Sequence, residues 1–424
     1  MAYIPPHRRQ INGAEKISPT PYPCFPGQFR RSSTTPTSTS CFCSNSERRN
    51  NSQHPLRGKN IPYGNDPICK WLMVGPTDLT LLEMKPISHE FVEGIYGEKP
   101  LVLTCAHPTT VASLQVVVNN TGSTGTSPWV YLAEKLQPDL VKSFQNVCKE
   151  IDEFQESEEI KPTFRVRFGK IVFRGGRSNM LDSIKNSLAD ESPSNEDLQR
   201  WFHADIPSSY MEFILSYIVP KTGLAFETEN EYYHVKLLDK SDSKTVISCK
   251  CWATEADGEL ELQEIELCQL RHLVVDISCL EKNLDMRMMV SSRKRALMSL
   301  TEDQKNSLGN LIRSAVIDPN VKGVLRWPVE DSFEDKYKVI AVYHSKCKSF
   351  KNSLLRLKIH DGDQFDFTSS TGMDARNITL EMAGVVDEIL QGQKIGMCAA
   401  TEMFQDTLKL IWDNFLSCYD LSFT

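Results

Sequence analysis

In the stretch "TFRVRFGKIVF" the apolar Phe164, Val166 and Phe168 alternate with Arg165 and Arg167. A period of two predicts a strand with one face buried. The same alternation in "TVISCKCWAT" places Cys249 and Cys251 together on one strand face, as small buried apolar groups. Further strands are predicted over 232–239, 244–254, 259–267, 270–279 and 284–290. No helical pattern separates them, so they suit an antiparallel meander or barrel better than alternating strand–helix units. A second strand set reads "KYKVIAVYHS", "SLLRLKIHD", "QFDFTSST" and "NITLEMAGVV". Nearer the start, "PICKWLMVG", "PLVLTCA" and "SLQVVVNN" have strand character.

A period of 3.6 appears in fewer places. Over 129–153, Leu136, Leu140, Phe144, Val147 and Ile151 form one stripe, and Pro138 is expected to divide the helix in two. Short helices are predicted for "SNEDLQRWF" and for "PSSYMEFILSYIV", the second stopped by Pro220 and Gly223. "TEDQKNSLGNLIRSAV" has the strongest helix signals, with Thr301 as cap and Leu308, Leu311, Ile312 and Ala315 as its apolar face. A last helix near 400–419 buries Phe404, Leu408, Leu410, Ile411 and Phe415.

Strands and helices are segregated, which predicts an α+β fold. It consists of a mainly antiparallel, barrel-like sheet with flanking helices, preceded by a disordered basic tail. The expected divisions are a tail over 1–60, an α+β segment over 61–157, a β-rich domain over 158–392 and a C-terminal helix over 393–424. The tail, with "PTPYPCFPGQFRRSSTTPTSTS", is too poor in apolar residues to offset its ordering entropy.

Charge sharpens that division. Residues 1–60 carry a net +7 and the remainder −14, a basic arm on an acidic body. Thirteen cysteines without a secretory signal point to reduced thiols, hence a cytoplasmic or nuclear setting. A plastid address is the alternative, since the tail is rich in Ser, Thr and Arg. No apolar run reaches the ~20 residues that span a bilayer, so no membrane partner is expected. The C-x-C pairs Cys41/Cys43 and Cys249/Cys251 are too far apart in sequence to suggest a zinc site, and no cofactor is expected.

Candidate chemistry is sparse. No phosphate-binding P-loop, dinucleotide fingerprint, nucleophile elbow or zinc-protease motif is present. Arg165 and Arg167, Arg174 and Arg177 in "FRGGRS", and the run Arg293, Lys294, Arg295 are candidate phosphate or RNA contacts. In "ELELQEIEL", Glu259 and Glu261 share a strand face. Facing basic strands inside a barrel, such a row holds a divalent metal and a polyphosphate. It resembles the E-x-E-x-K row of triphosphate-tunnel enzymes, with Gln263 in place of the lysine. The solvated face of an antiparallel strand gives the same alternation, so no metal site is assigned.

The segment Tyr3, Ile4, Pro5, Pro6, His7, Arg8, Arg9 has the features of a docking peptide: a stiff diproline, two apolar anchors and two arginines. It resembles the N-terminal tails of translation-associated DEAD-box RNA helicases, whose core motifs this chain lacks. The start "MAYIPPHRR", with "LVVDISCLEKNLDMRMM", "VKGVLRWP" and "LLRLKIHDGDQFDFTSSTG", resembles an uncharacterised plant family beginning MAYIPPHKR. Arg8 stands where that family has lysine. The resemblance implies a shared fold and carries no activity. The docking-like tail, the charge split and the lack of catalytic motifs favour a non-catalytic function over an enzyme. The tail would act as an adaptor to RNA or an RNA-associated protein partner, with a metal-dependent phosphohydrolase built on a triphosphate-tunnel-like barrel as the alternative.

Overall fold

The computed structural model describes residues 63–75, 79–87, 100–106, 127–153, 160–174, 180–185, 200–241, 246–254, 258–295, 300–327, 336–392 and 398–418. The Tyr3–Arg9 motif and the rest of the expected 1–60 tail lie outside them, as do "SNEDLQ" and the predicted strand "SLQVVVNN". In chain order the elements begin with β1 (Tyr63–Val74), β2 (Leu82–Pro86), β3 (Leu101–Cys105), α1 (Pro128–Glu153), β4 (Ile160–Phe173) and β5 (Arg200–His203). Then come α2 (Ser208–Phe213), β6 (Ala225–Asp239), β7 (Val246–Ala253), β8 (Leu260–Cys279), β9 (Asp285–Arg295) and α3 (Glu302–Arg313). After these lie β10 (Val316–Ile317), β11 (Leu325–Arg326), β12 (Tyr337–Lys351), β13 (Arg356–Asp366), β14 (Thr371–Asp374) and β15 (Asn377–Glu381). The last are α4 (Ala383–Gly392) and α5 (Cys398–Asn414).

Eight strands close on themselves. The ring runs β4, β9, β8, β7, β6, β12, β13, β15 and back to β4, every neighbouring pair antiparallel. Closure removes the exposed sheet edges that an open antiparallel sheet would carry. The long strands β4 and β8 continue beyond the ring. There β4 also pairs with β3 and β5, and the far half of β8 pairs in parallel with β1.

The barrel is apolar outside and polar inside. On β4 the buried Phe164, Val166 and Phe168 turn outward, where Phe164 meets Phe404 and Phe168 stacks on Phe415 at 5.3 Å between ring centroids. On one side α1, α4 and α5 cover Val275, Met288, Leu357, Ile359 and Leu380 in the largest core. On the other, Leu308, Leu311 and Ile312 of α3 cover Val235, Leu237, Cys249 and Cys251. Burial of these faces supplies the main stabilisation. The alternate positions, including Arg165, Arg167, His234, Lys250, Lys358 and His360, are left half-buried in the lumen.

Several sequence expectations change. The α1 helix runs unbroken through Pro138. Its stripe Leu132, Leu136, Leu140, Phe144 and Val147 is buried in the main core, and that packing outweighs the backbone hydrogen bond a proline removes. "RWF", expected to be helical, is strand β5, because Trp201 and Phe202 pair with Val172 and Ile171 of β4. "NITLEMAGVV" is a strand only to Glu381, and Ala383 opens α4. The α3 start holds as read: Thr301 Oγ1 accepts from the Gln304 backbone N–H, and Gln304 Oε1 accepts from the Thr301 backbone N–H. Thr301→Ala is expected to cost about 1 kcal/mol, read as a lower urea midpoint at unchanged m-value. Cys249 is fully buried under α3, and burial pushes its thiol up to about 12. In the native protein it should stay unreactive to thiol reagents and react on unfolding.

Candidate functional site: a cationic barrel lumen

The inner face of β4 reads Arg165, Arg167, Gly169, Ile171, Phe173. It changes from charged to apolar at Gly169, where the strand passes so close to β5 that a Cβ would lie 2.0 Å from the His203 carbonyl oxygen. Beyond that point Ile171 and Phe173 join Met73, Leu82, Met84, Leu101 and Leu103 in a separate apolar cluster. The charged part of the lumen is thus bounded by packed side chains at this end of β4.

The strand register assembles the lumen from several strands. Thr379 of β15 lies opposite both Arg167 and Lys358, and Glu381 lies opposite Arg165. Glu381 accepts from Arg165 Nε at 2.9 Å and from Lys358 Nζ at 3.0 Å. Burial holds the Lys358 ammonium below its ordinary range, against the pull of Glu381. Next to it on β13, His360 Nδ1 lies 3.0 Å from the Tyr232 hydroxyl and 3.2 Å from Ser345 Oγ. His360 Nε2 lies 3.9 Å from Cys347 Sγ. Burial, then Lys358, Arg167, His234 and Arg165, push His360 down to about 3, so it is neutral at physiological pH.

From β7, the Lys250 ammonium lies 4.6 Å from the centroid of the Tyr232 ring and 5.6 Å from that of Trp252. Lys236 of β6 bonds the Tyr343 hydroxyl at 3.3 Å and lies over that ring. The lumen therefore gathers Arg165, Arg167, Lys236, Lys250 and Lys358 with tyrosine and serine hydroxyls and a neutral imidazole. The carboxylates on this face include Glu381, Glu264 opposite Lys250, Glu261 opposite Trp252, and Asp276, which accepts from Arg287 opposite Arg167. A water-reachable channel with one dominant sign of charge and low-dielectric walls concentrates counter-ions of the other sign. Arginine and lysine donors with hydroxyls are the groups that hold phosphate oxygens.

The candidate residues from sequence fall in different places. Arg165 and Arg167 are lumen residues, and the carboxylate that pairs with Arg165 is Glu381. Arg174 is exposed just past β4, and Arg177 lies outside the described residues. Arg293, Lys294 and Arg295 end β9, opposite Gln269, Cys268 and Glu266 of β8. Glu259 and Glu261 are exposed near the β7–β8 turn, with Glu261 opposite Trp252 on the lumen face. Among the described residues no three His, Cys, Asp or Glu side chains gather as a metal site. Sequence reasoning missed Tyr232, Lys236, Lys250, Lys358, His360 and Glu381. For all but Glu381 the signal was present, as the polar alternates in "YYHVKLL", "SCKCWA" and "LRLKIH".

A second polar cluster lies outside the barrel wall. His272 is fully buried, with Nε2 2.8 Å from Ser292 Oγ and 3.4 Å from Glu150 of α1. Ser292 Oγ also donates to Glu150 at 3.2 Å. Gly64 closes over the ring, since a Cβ there would lie 2.7 Å from it. Both the serine and the carboxylate meet the same imidazole nitrogen, so the ring does not relay a proton between them as in a hydrolytic triad. Burial pushes His272 from 6.5 down to about 4. Its stabilising contribution is therefore present above the unfolded value and lost as pH falls from about 6.5 toward 4. The slope reaches roughly 1.4 kcal/mol per pH unit. Unfolding midpoints at pH 7, 6 and 5 should fall less steeply in His272→Gln than in the parent. Equal slopes would contradict this.

No described helix is long and apolar enough to cross a membrane. Among curated proteins, none matches this chain. Among solved structures the chain is similar to the S. pombe Pct1 RNA triphosphatase in complex with the Spt5 CTD. That likeness has 10% identity and a TM-score of 0.40, covering 65% of this chain and 94% of that one. It is also similar to the S. pombe Pct1 RNA triphosphatase, at 11% identity and a TM-score of 0.38, covering 65% of this chain and 90% of that one. Neither likeness bears on chemistry at these values. The family model described as "Domain of unknown function (DUF7903)" matches residues 55–415, and the chain belongs to that family.

Proposed function

We propose that the barrel binds a chain of phosphate groups in its lumen, by charge and hydrogen bonding. The observation that carries this reading is the convergence of Arg165, Arg167, Lys250 and Lys358 around His360 and Tyr232. Neutral hydroxyls and a neutral imidazole complete a donor-rich surface, opposed by Glu261, Glu264 and Glu381 and by Asp276, whose charge Arg287 already meets. Binding is favoured over hydrolysis because Glu381 is already occupied by Arg165 and Lys358.

Isothermal titration with inorganic tripolyphosphate tests the proposal. Saturable binding that weakens steeply with salt is expected, and Lys250→Gln should lower the affinity about tenfold or more. No saturable binding, or binding indifferent to Lys250, would overturn it. Metal-dependent phosphohydrolysis remains the alternative because Glu261 lies on the lumen face. Phosphate release that requires a divalent metal and disappears in Glu261→Gln would favour it.

The tail forms a separate part of the proposal. Tyr3–Arg9 is read as a docking peptide for an RNA-associated partner or RNA. Deletion of residues 1–12 should abolish recovery of that partner and leave lumen binding unchanged. Identical recovery with and without the segment would sink the idea.

A further inference from the structure

The lumen's charge pattern changes again toward the β7–β8 turn. Trp252 sits there, two residues beyond Lys250 on the same face of β7, and it is 39% exposed. The other five tryptophans of the chain are buried or half-buried. An indole left in water at the rim of a polar channel contributes nothing to the cores on either side of the barrel wall. Its ring is instead tied to the lumen: the Lys250 ammonium lies near both the Trp252 and Tyr232 rings, and the Tyr232 hydroxyl meets His360. Indole, ammonium, phenol and imidazole thus follow one another from the rim inward.

The carboxylates decide what can lie over that indole. Glu261 is directly opposite Trp252, and Glu264 is opposite Lys250. A phosphate chain continuing outward past Lys250 would meet the exposed Glu261 and be repelled. A flat, uncharged ring with N–H donors would instead stack on the indole and offer hydrogen bonds to that carboxylate. Resting on the phosphate-binding reading, we propose that Trp252 is a nucleobase-stacking platform at the lumen's rim, so that the ligand is a purine nucleoside 5′-oligophosphate with its phosphates directed toward Lys250. Inorganic polyphosphate shares the phosphate chemistry but leaves Trp252 unused.

Titrations with ATP and with inorganic tripolyphosphate separate the two sources. The parent protein should bind ATP about tenfold tighter than tripolyphosphate, the order expected for one base stacked on an aromatic ring. Trp252→Ala should remove most of that preference. Tripolyphosphate affinity should stay within about twofold, because Lys250 keeps the Tyr232 ring. Trp252→Phe, which retains a flat ring, should restore much of the ATP preference and guards against a folding defect in the alanine variant. Equal affinities in the parent, or equal losses for both ligands in Trp252→Ala, would overturn the stacking site while leaving lumen binding intact. Failure of both ligands to bind the parent would overturn the lumen reading itself, and this inference with it.

Discussion

Exchanging Arg167 and Lys358 together for glutamine is expected to weaken tripolyphosphate binding by roughly two to four orders of magnitude. Each charge-assisted bond to a phosphate oxygen contributes about 1.5–3 kcal/mol, and 1.4 kcal/mol is tenfold in affinity. Both residues lie on the lumen face, flanking Thr379 of β15, and both depress the titration of His360. The exchange also frees His360 from two neighbouring positive charges, so its imidazole should titrate closer to 6.5 in the double variant. Outward contacts are untouched, because Val166, Phe168, Leu357 and Ile359 point into the helical layer. The unfolding midpoint should therefore change little while binding is lost. Titration calorimetry and a urea curve on the same preparation check both halves of this expectation. Unchanged affinity would place the phosphates elsewhere.

A second large effect concerns stability. Asp285, buried at the start of β9, accepts from the Ile171 amide at 2.9 Å, the Cys279 amide at 2.9 Å and Lys170 Nζ at 3.3 Å. One carboxylate thereby joins β4, the end of β8 and β9 where the barrel gives way to packed side chains. Asp285→Ala would leave the buried Lys170 ammonium and two backbone amides without that acceptor. The expected loss is about 3–5 kcal/mol, a large share of the roughly 5–15 kcal/mol that holds a typical domain folded. Lys170→Met in the same chain should recover part of the loss, because the stranded charge is then gone. A double-mutant cycle by urea unfolding measures this. Additive losses would contradict the pairing.

The strands were legible because period-two alternation is a local property. "TFRVRFGKIVF" and "VISCKCWA" read correctly from residue types alone, as did the capped helix at Thr301. The sidedness of that alternation was not legible. An antiparallel strand with one buried face places its polar alternates in solvent, and nothing in Arg165 or Lys358 says that the solvent lies inside a closed ring. Closure depends on long-range pairs such as β12 with β6 and β4 with β9, which local patterning does not encode. Pro138 misled for a related reason, since the tertiary burial of Leu136, Leu140 and Phe144 outweighs a local break. The acidic row Glu259/Glu261 attracted attention as a motif. The carboxylate that meets the basic strands is Glu381, standing alone at the end of "NITLE", where no short motif marks it.

The most direct test is a crystal structure of the protein grown with tripolyphosphate. The account predicts density for the phosphate chain inside the barrel, within hydrogen-bonding distance of Arg167, Lys250 and Lys358. Phosphate density only on the outer surface, with the lumen holding water alone, would contradict it.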